Sequence, residues 1–99
     1  MPEVVVMLAI TRENAEAILE GKRKTERRTH PPTRLPAKAL LAVSGTGTVV
    51  GECRLGEPVR RDEDGAVLPV TSPRRYAAAR PVSAYGLAKI PRSFRYLGS

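Results

Sequence analysis

The chain has 99 residues, 41% of them hydrophobic, which suits one domain with its own core across residues 1–99 and leaves too little for two. Seventeen Lys and Arg against ten Asp and Glu give a net charge of +7, and such an excess favours polyanionic partners, above all nucleic acid. The single cysteine excludes an internal disulfide and any multi-cysteine metal site, and no stretch approaches the length of a membrane-spanning helix.

Residues 1–10 are apolar but short, lack a basic start and carry Glu3, so they read as no signal peptide and the chain reads as cytosolic. Val4 to Ile10 is continuously apolar and rich in β-branched residues, the pattern of a strand buried on both faces. Thr11 then supplies an N-cap, and Glu13 sits favourably in the first turn against the helix dipole. Ala15, Ile18 and Leu19 form a small apolar stripe across Arg12 to Glu20, and Gly21 closes this short helix as its C′ residue.

A basic extended segment follows, Lys22-Arg23-Lys24-Thr25-Glu26-Arg27-Arg28, until Pro31-Pro32 stops it. In a strand, Lys24, Glu26 and Arg28 share one face, while Thr25, Arg27 and Thr29 share the other. Thr33 to Lys38 is a proline-punctuated connection, and Ala39 to Val43 is a second continuous apolar strand. Gly45-Thr46-Gly47 marks a turn into a long strand over Thr48 to Val59, in which Gly51 and Gly56 predict bulges or sharp bends. Cys53 falls in the alternating part of that strand and reads as a small core residue.

Arg61 to Gly65 is a charged loop tip whose Asp62-Glu63-Asp64 cluster reads as a solvated turn. Ser72-Pro73 has the form of an N-cap followed by proline at N1 and predicts a short helix through Ala79. Arg74 and Arg75 then lie at a helix start, opposed to the dipole unless an anion binds there. Val82 to Ile90 reads as a strand stopped by Pro91, and Arg92 to Tyr96 as a last short strand or an arm. Helices are too few for parallel crossovers throughout, so the fold class is α+β: a small bent mixed β-barrel with two short flanking helices.

Five cations surround one carboxylate in the basic segment. A carboxylate held among cations orients them toward an anionic ligand, which makes the segment a candidate site. From Gly65 to Ser99 there are six further cations and no carboxylate. The order of strand, capped helix and Gly21-Lys22-Arg23-Lys24-Thr25-Glu26-Arg27-Arg28 resembles the start of ASCH domains in the PUA-like superfamily, with their signature Gly-x-Lys-x-x-Glu-x-Arg. Gly21, Glu26 and Arg28 match it, and Arg23 stands at the lysine position. Gly51-Glu52 and the Tyr85 to Ile90 run follow in the family's order.

The resemblance implies a small β-barrel flanked by helices, with a cleft lined by the signature segment, and a role in RNA binding. In the small amidohydrolases of this group, a Lys and a Thr of the segment act with a Glu from a later strand. Here those first two positions hold Arg23 and Glu26. Arginine stays protonated and is a poor base, so the departure points away from that chemistry unless Lys22 or Lys24 substitutes in another register.

Two functions from different classes follow. As an RNA- or nucleotide-binding module, the chain would use Lys22, Arg23, Lys24, Glu26 and Arg28, with Arg74 and Arg75 extending the path. Tyr76 or Tyr85 would either stack on a base or, more simply, be core rings with hydroxyls at the surface. As a ribonuclease or modified-nucleoside hydrolase, it would draw an acid and a base from Glu26, Glu52, Lys24 and His30. No cofactor or metal is expected, no membrane partner is expected, and exposed strand edges leave room for a homodimer.

Overall fold

The computed structural model describes residues 3–97. Seven strands and one α-helix follow in the order β1 (Val5–Ile10), α1 (Arg12–Leu19), β2 (Thr25–Arg28), β3 (Ala37–Val43), β4 (Thr48–Leu55), β5 (Arg60–Asp62), β6 (Gly65–Pro81) and β7 (Phe94–Tyr96), with a single 3-10 turn at Val82–Tyr85. They form one curled mixed sheet, a half-barrel in the order β2-β6-β4-β3-β1-β7, and β5 pairs with β6 off that path. Among the described residues only β1 and β3 run parallel; α1 lies between them in sequence and supplies the crossover that a parallel pair requires.

The continuous apolar runs of β1 and β3 are explained by two cores, one on each side of the sheet. Val6, Leu8, Ile10, Ala39, Leu41 and Val43 point into the barrel, with Cys53, Leu55, Leu68 and the helix residues Ala15 and Ile18. Met7, Leu40 and Ala42 face the other way and pack with Val49, Tyr76 and Val82, beneath Tyr85, Leu87 and Ile90 of the C-terminal segment. Each fully buried aliphatic side chain contributes roughly 1.5–3 kcal/mol before entropy is counted.

Helix α1 has the predicted ends. The Thr11 hydroxyl accepts from the Asn14 amide at 3.2 Å, and Gly21 takes φ +77°. The Gly21 and Lys22 amides then donate to the Ile18 and Ala17 carbonyls, closing a Schellman motif. The Arg23 amide also donates to Ala17, so the chain leaves the helix on a fixed path into β2.

Four expectations need correction. Ser72 to Ala79 is strand, so one helix flanks the sheet, with only the 3-10 turn as a second helical piece. Ser72 sits at φ +51° and not in the extended N-cap conformation, while the residues after it pair with β4. Long-range pairing and the burial of Tyr76 override the helix propensity of the alanine run. Val82 to Ile90 is the 3-10 turn and a loop, because Gly86 at φ +81° turns the chain out of extended structure. The long strand from Thr48 ends at Leu55, and Arg61 to Gly65 is a hairpin whose turn is Glu63-Asp64. The predicted break at Gly51 does occur: the β3–β4 and β4–β6 registers both shift there.

Candidate functional site

Strand β2 is the edge of the sheet, paired antiparallel with β6 so that Glu26 lies opposite Leu68 and Arg28 opposite Ala66. Both partners belong to the barrel-side core, and Glu26 therefore points inward and is 4% exposed. A bare carboxylate there would be costly, and two guanidiniums relieve it. Arg23 Nε donates to Glu26 Oε1 at 3.3 Å, and Arg28 Nε donates to Oε2 at 2.9 Å, with its Nη2 forming an ion pair 2.8 Å from the same oxygen.

Arg28 is more fully engaged than a phosphate-binding arginine. Its Nη2 also donates to the Ala9 carbonyl at 2.8 Å, and its Nη1 reaches the carbonyl and hydroxyl of Ser93 at 3.4 and 3.5 Å. It thereby ties the β2 edge to β1 and to the residue just before β7, across the open side of the half-barrel. Arg23 is different: its side chain is 35% exposed, and its terminal nitrogens make no hydrogen bond among the described residues.

The remaining candidates divide. Lys24 is exposed and unpaired among the described residues, and its carbonyl accepts from the Val70 amide. Lys22 is 77% exposed and pairs with Glu20. Arg74 and Arg75 do not act together, since neighbouring residues of a strand face opposite sides. Arg75 lies opposite Gly51 and pairs with Glu16 of α1 at 2.7 Å, whereas Arg74 lies opposite Glu52. Arg27, on the outer side of β2, pairs with both oxygens of Asp62 at 2.9 and 3.0 Å. The hydrogen bond from Arg27, helped by the Asp64 amide, holds the Asp62 carboxyl below its usual range.

Two hollows flank the Arg23–Glu26–Arg28 clamp. A polar cleft of about 340 Å³ lies by the first turn of α1, lined by Thr11, Asn14, Glu26, Arg27, Arg28 and His30. A second hollow of about 280 Å³ lies by the last turn, between Ile18 and Gly21 on one side and Val70 to Pro73 on the other, with Arg23 and Lys24 at its rim. Sequence reasoning missed Thr11 and Asn14 as lining residues, although their place in the first turn before the basic segment was the available signal. It also missed the Val70 to Pro73 wall, because Ser72-Pro73 imitates a helix start.

Glu52 does not join Glu26. It lies opposite Leu40, on the outer face of the sheet, where it accepts from the Tyr76 hydroxyl at 2.9 Å and has Lys38 Nζ at 3.7 Å. Burial and the bond to Glu52 push the Tyr76 phenol well above its ordinary range, and Arg80 stacks 3.8 Å over the ring. Tyr76 is thus a core ring with an engaged hydroxyl, and Tyr85 packs partly on the same core while accepting from Arg80 at 3.3 Å. Neither borders the two hollows.

No protein-family description matches this chain, and no curated protein sequence matches it. Among solved structures it is similar to the crystal structure of ASCH from Zymomonas mobilis, with a TM-score of 0.80 at 16% identity over 96% of this chain and 88% of that chain. Crystal structures of two single-substitution mutants of the same Zymomonas mobilis protein give TM-scores of 0.79 and 0.78, at 13% and 15% identity, over 96% of this chain and 89% and 91% of theirs. At these identities the likeness is one of architecture, running over nearly the whole curled sheet and its helix: the chain has an ASCH-type fold.

Proposed function

We propose that this chain is a small binding module for single-stranded RNA or a nucleotide-like ligand, with the basic segment around β2 as its binding edge. The observation that carries the reading is the charge left over at the clamp. One buried carboxylate meets two guanidiniums, so a full positive charge remains, and Lys24, unpaired among the described residues, stands beside it. Arg23 and Lys24 make the phosphate contacts, Arg28 holds the wall in place, and Thr11, Asn14 and His30 offer polar groups to the sugar or base. Lys22 adds nonspecific attraction from the rim; Arg74 and Arg75, on opposite faces, add little to the same path.

Geometry favours binding over acid–base cleavage. Both oxygens of Glu26 already accept guanidinium N–H bonds, which suits a fixed counter-charge better than a proton acceptor. Glu52 lies on the opposite face of the sheet from Glu26 and cannot complete a carboxylate pair with it.

Titrating a fluorescent single-stranded RNA with protein at several salt concentrations tests the proposal. Affinity should fall linearly on a logarithmic plot, with a slope of about −0.7 per phosphate contacted, and Arg23→Ala and Lys24→Ala should each flatten it by about that amount. Binding that is absent, or indifferent to salt, would overturn the proposal. RNA turnover by the wild type that vanishes in Glu26→Gln would replace it with the hydrolytic reading.

A further inference from the structure

The second hollow differs from the first in its chemistry. Its floor is apolar, formed by Ile18, which is fully buried, and Val70, which is 6% exposed. Pro73 adds an apolar ring to the wall, and the exposed Thr71 and Ser72 bring hydroxyls to the rim. Arg23 and Lys24 also line it, and among the described residues the Lys24 side chain is unpaired while the Arg23 side chain is bonded only through Nε. One further feature marks the place. Ser72 is the one non-glycine residue at positive φ among the described residues, and it sits in the hollow's wall. Such conformations cost roughly 1–3 kcal/mol and are retained mostly at turns and binding sites.

From these features we infer that the hollow formed by Ile18, Val70, Thr71, Ser72 and Pro73 is a nucleobase slot, with Arg23 and Lys24 taking the attached phosphate. An apolar floor beside the Pro73 ring receives the face of a base, while hydroxyls at the rim can bond its polar edge. Two cations beside an apolar floor match the asymmetry of a nucleotide, which is apolar on its base faces and charged at one end. The inference rests on the proposed function for its phosphate contacts and goes beyond it in giving the base its own place. The two hollows lie at opposite ends of α1, whose eight residues span about 12 Å, so a strand lying along β2 could enter both. The ligand class is a nucleoside monophosphate, either free or as one unit of a single strand.

Two-dimensional NMR of the wild type, titrated with adenosine monophosphate, with the adenylate trinucleotide and with inorganic phosphate, tests the slot. Adenosine monophosphate should shift the amides of Gly21, Lys24, Thr71 and Ser72, and Pro73→Trp, which fills the hollow, should weaken that binding about tenfold, the scale of one buried base face. Tighter binding of the trinucleotide than of the monophosphate would identify a strand as the natural source, and equal binding would identify the free nucleotide. Shifts confined to Thr11, Asn14, Thr29 and His30, unchanged by Pro73→Trp, would overturn the slot and leave the proposed function standing. Inorganic phosphate reproducing the whole pattern at equal affinity would reduce the slot to an anion patch and overturn it. No shift with either nucleotide would remove both.

Discussion

Glu26 sits between two guanidiniums with its carboxylate almost wholly out of water, and its neighbours depend on it as much as it depends on them. Removing one member of a buried ion pair leaves the other charge uncompensated, at a cost of about 3–5 kcal/mol, whereas replacing the pair by apolar groups costs far less. Glu26→Gln keeps the shape and an acceptor oxygen but loses the charge, so its unfolding free energy in urea should fall by about 3 kcal/mol. Its affinity for single-stranded RNA at fixed salt should hold or rise, because the segment becomes more positive. A folded Glu26→Gln that no longer binds would show that the carboxylate touches the ligand. The period of a strand was enough to put Glu26 and Arg28 on one face, and the order of charges marked them as a candidate site. Their further partners were not legible: the Ala9 and Ser93 carbonyls lie 19 and 65 residues from Arg28, and only the curl of the sheet brings them together.

Among the elements, those whose signals are local were readable and those shaped by distant pairing were not. Strand β1, helix α1 with both caps, and β3 each carry their pattern within a few residues. Strand β6 does not: its second half is rich in alanine and opens on Ser72-Pro73, yet β4 claims it for the sheet. Gly51 shows how closely the two strands meet. A Cβ at that position would lie 2.5 Å from the Arg74 carbonyl oxygen and 2.8 Å from Leu19 Cδ2. A side chain could turn away, but the backbone carbonyl is fixed by the β4–β6 ladder. Gly51→Ala should therefore destabilise the protein by about 2 kcal/mol, read as a lower urea midpoint with an unchanged slope. A loss below about 0.5 kcal/mol would mean that β4 and β6 part easily here, and that the hollow walled by Val70 to Pro73 is less firmly held than its geometry implies.

At the scale of the whole molecule, the half-barrel has an open side between β2 and the β1–β7 edge, and Arg28 spans it with side-chain bonds in place of a backbone ladder. Cys53 lies inside the same barrel, 1% exposed, where burial, followed by the nearby Glu26 and Glu52 carboxylates, pushes its thiol up to about 12. A folded-state value raised above the unfolded one contributes stability that is complete below about pH 9 and is lost progressively as pH rises toward 12. A thiol so placed reacts only when the barrel opens, because the thiolate is the nucleophile and solvent cannot reach it. Cys53 can therefore report whether Arg28 acts as a latch on that seam. At neutral pH, labelling of native protein by an aromatic disulfide reagent should be slow, and Arg28→Met should accelerate it by more than its loss of global stability explains, since opening the seam is a local event. The comparison to make is labelling rate against urea-derived stability for wild type, Arg28→Met and a core variant such as Leu41→Ala. If all three fall on one line, Cys53 is exposed only by global unfolding and Arg28 is no latch; if Arg28→Met alone lies above it, the seam opens independently and the clamp at β2 also governs access to the barrel.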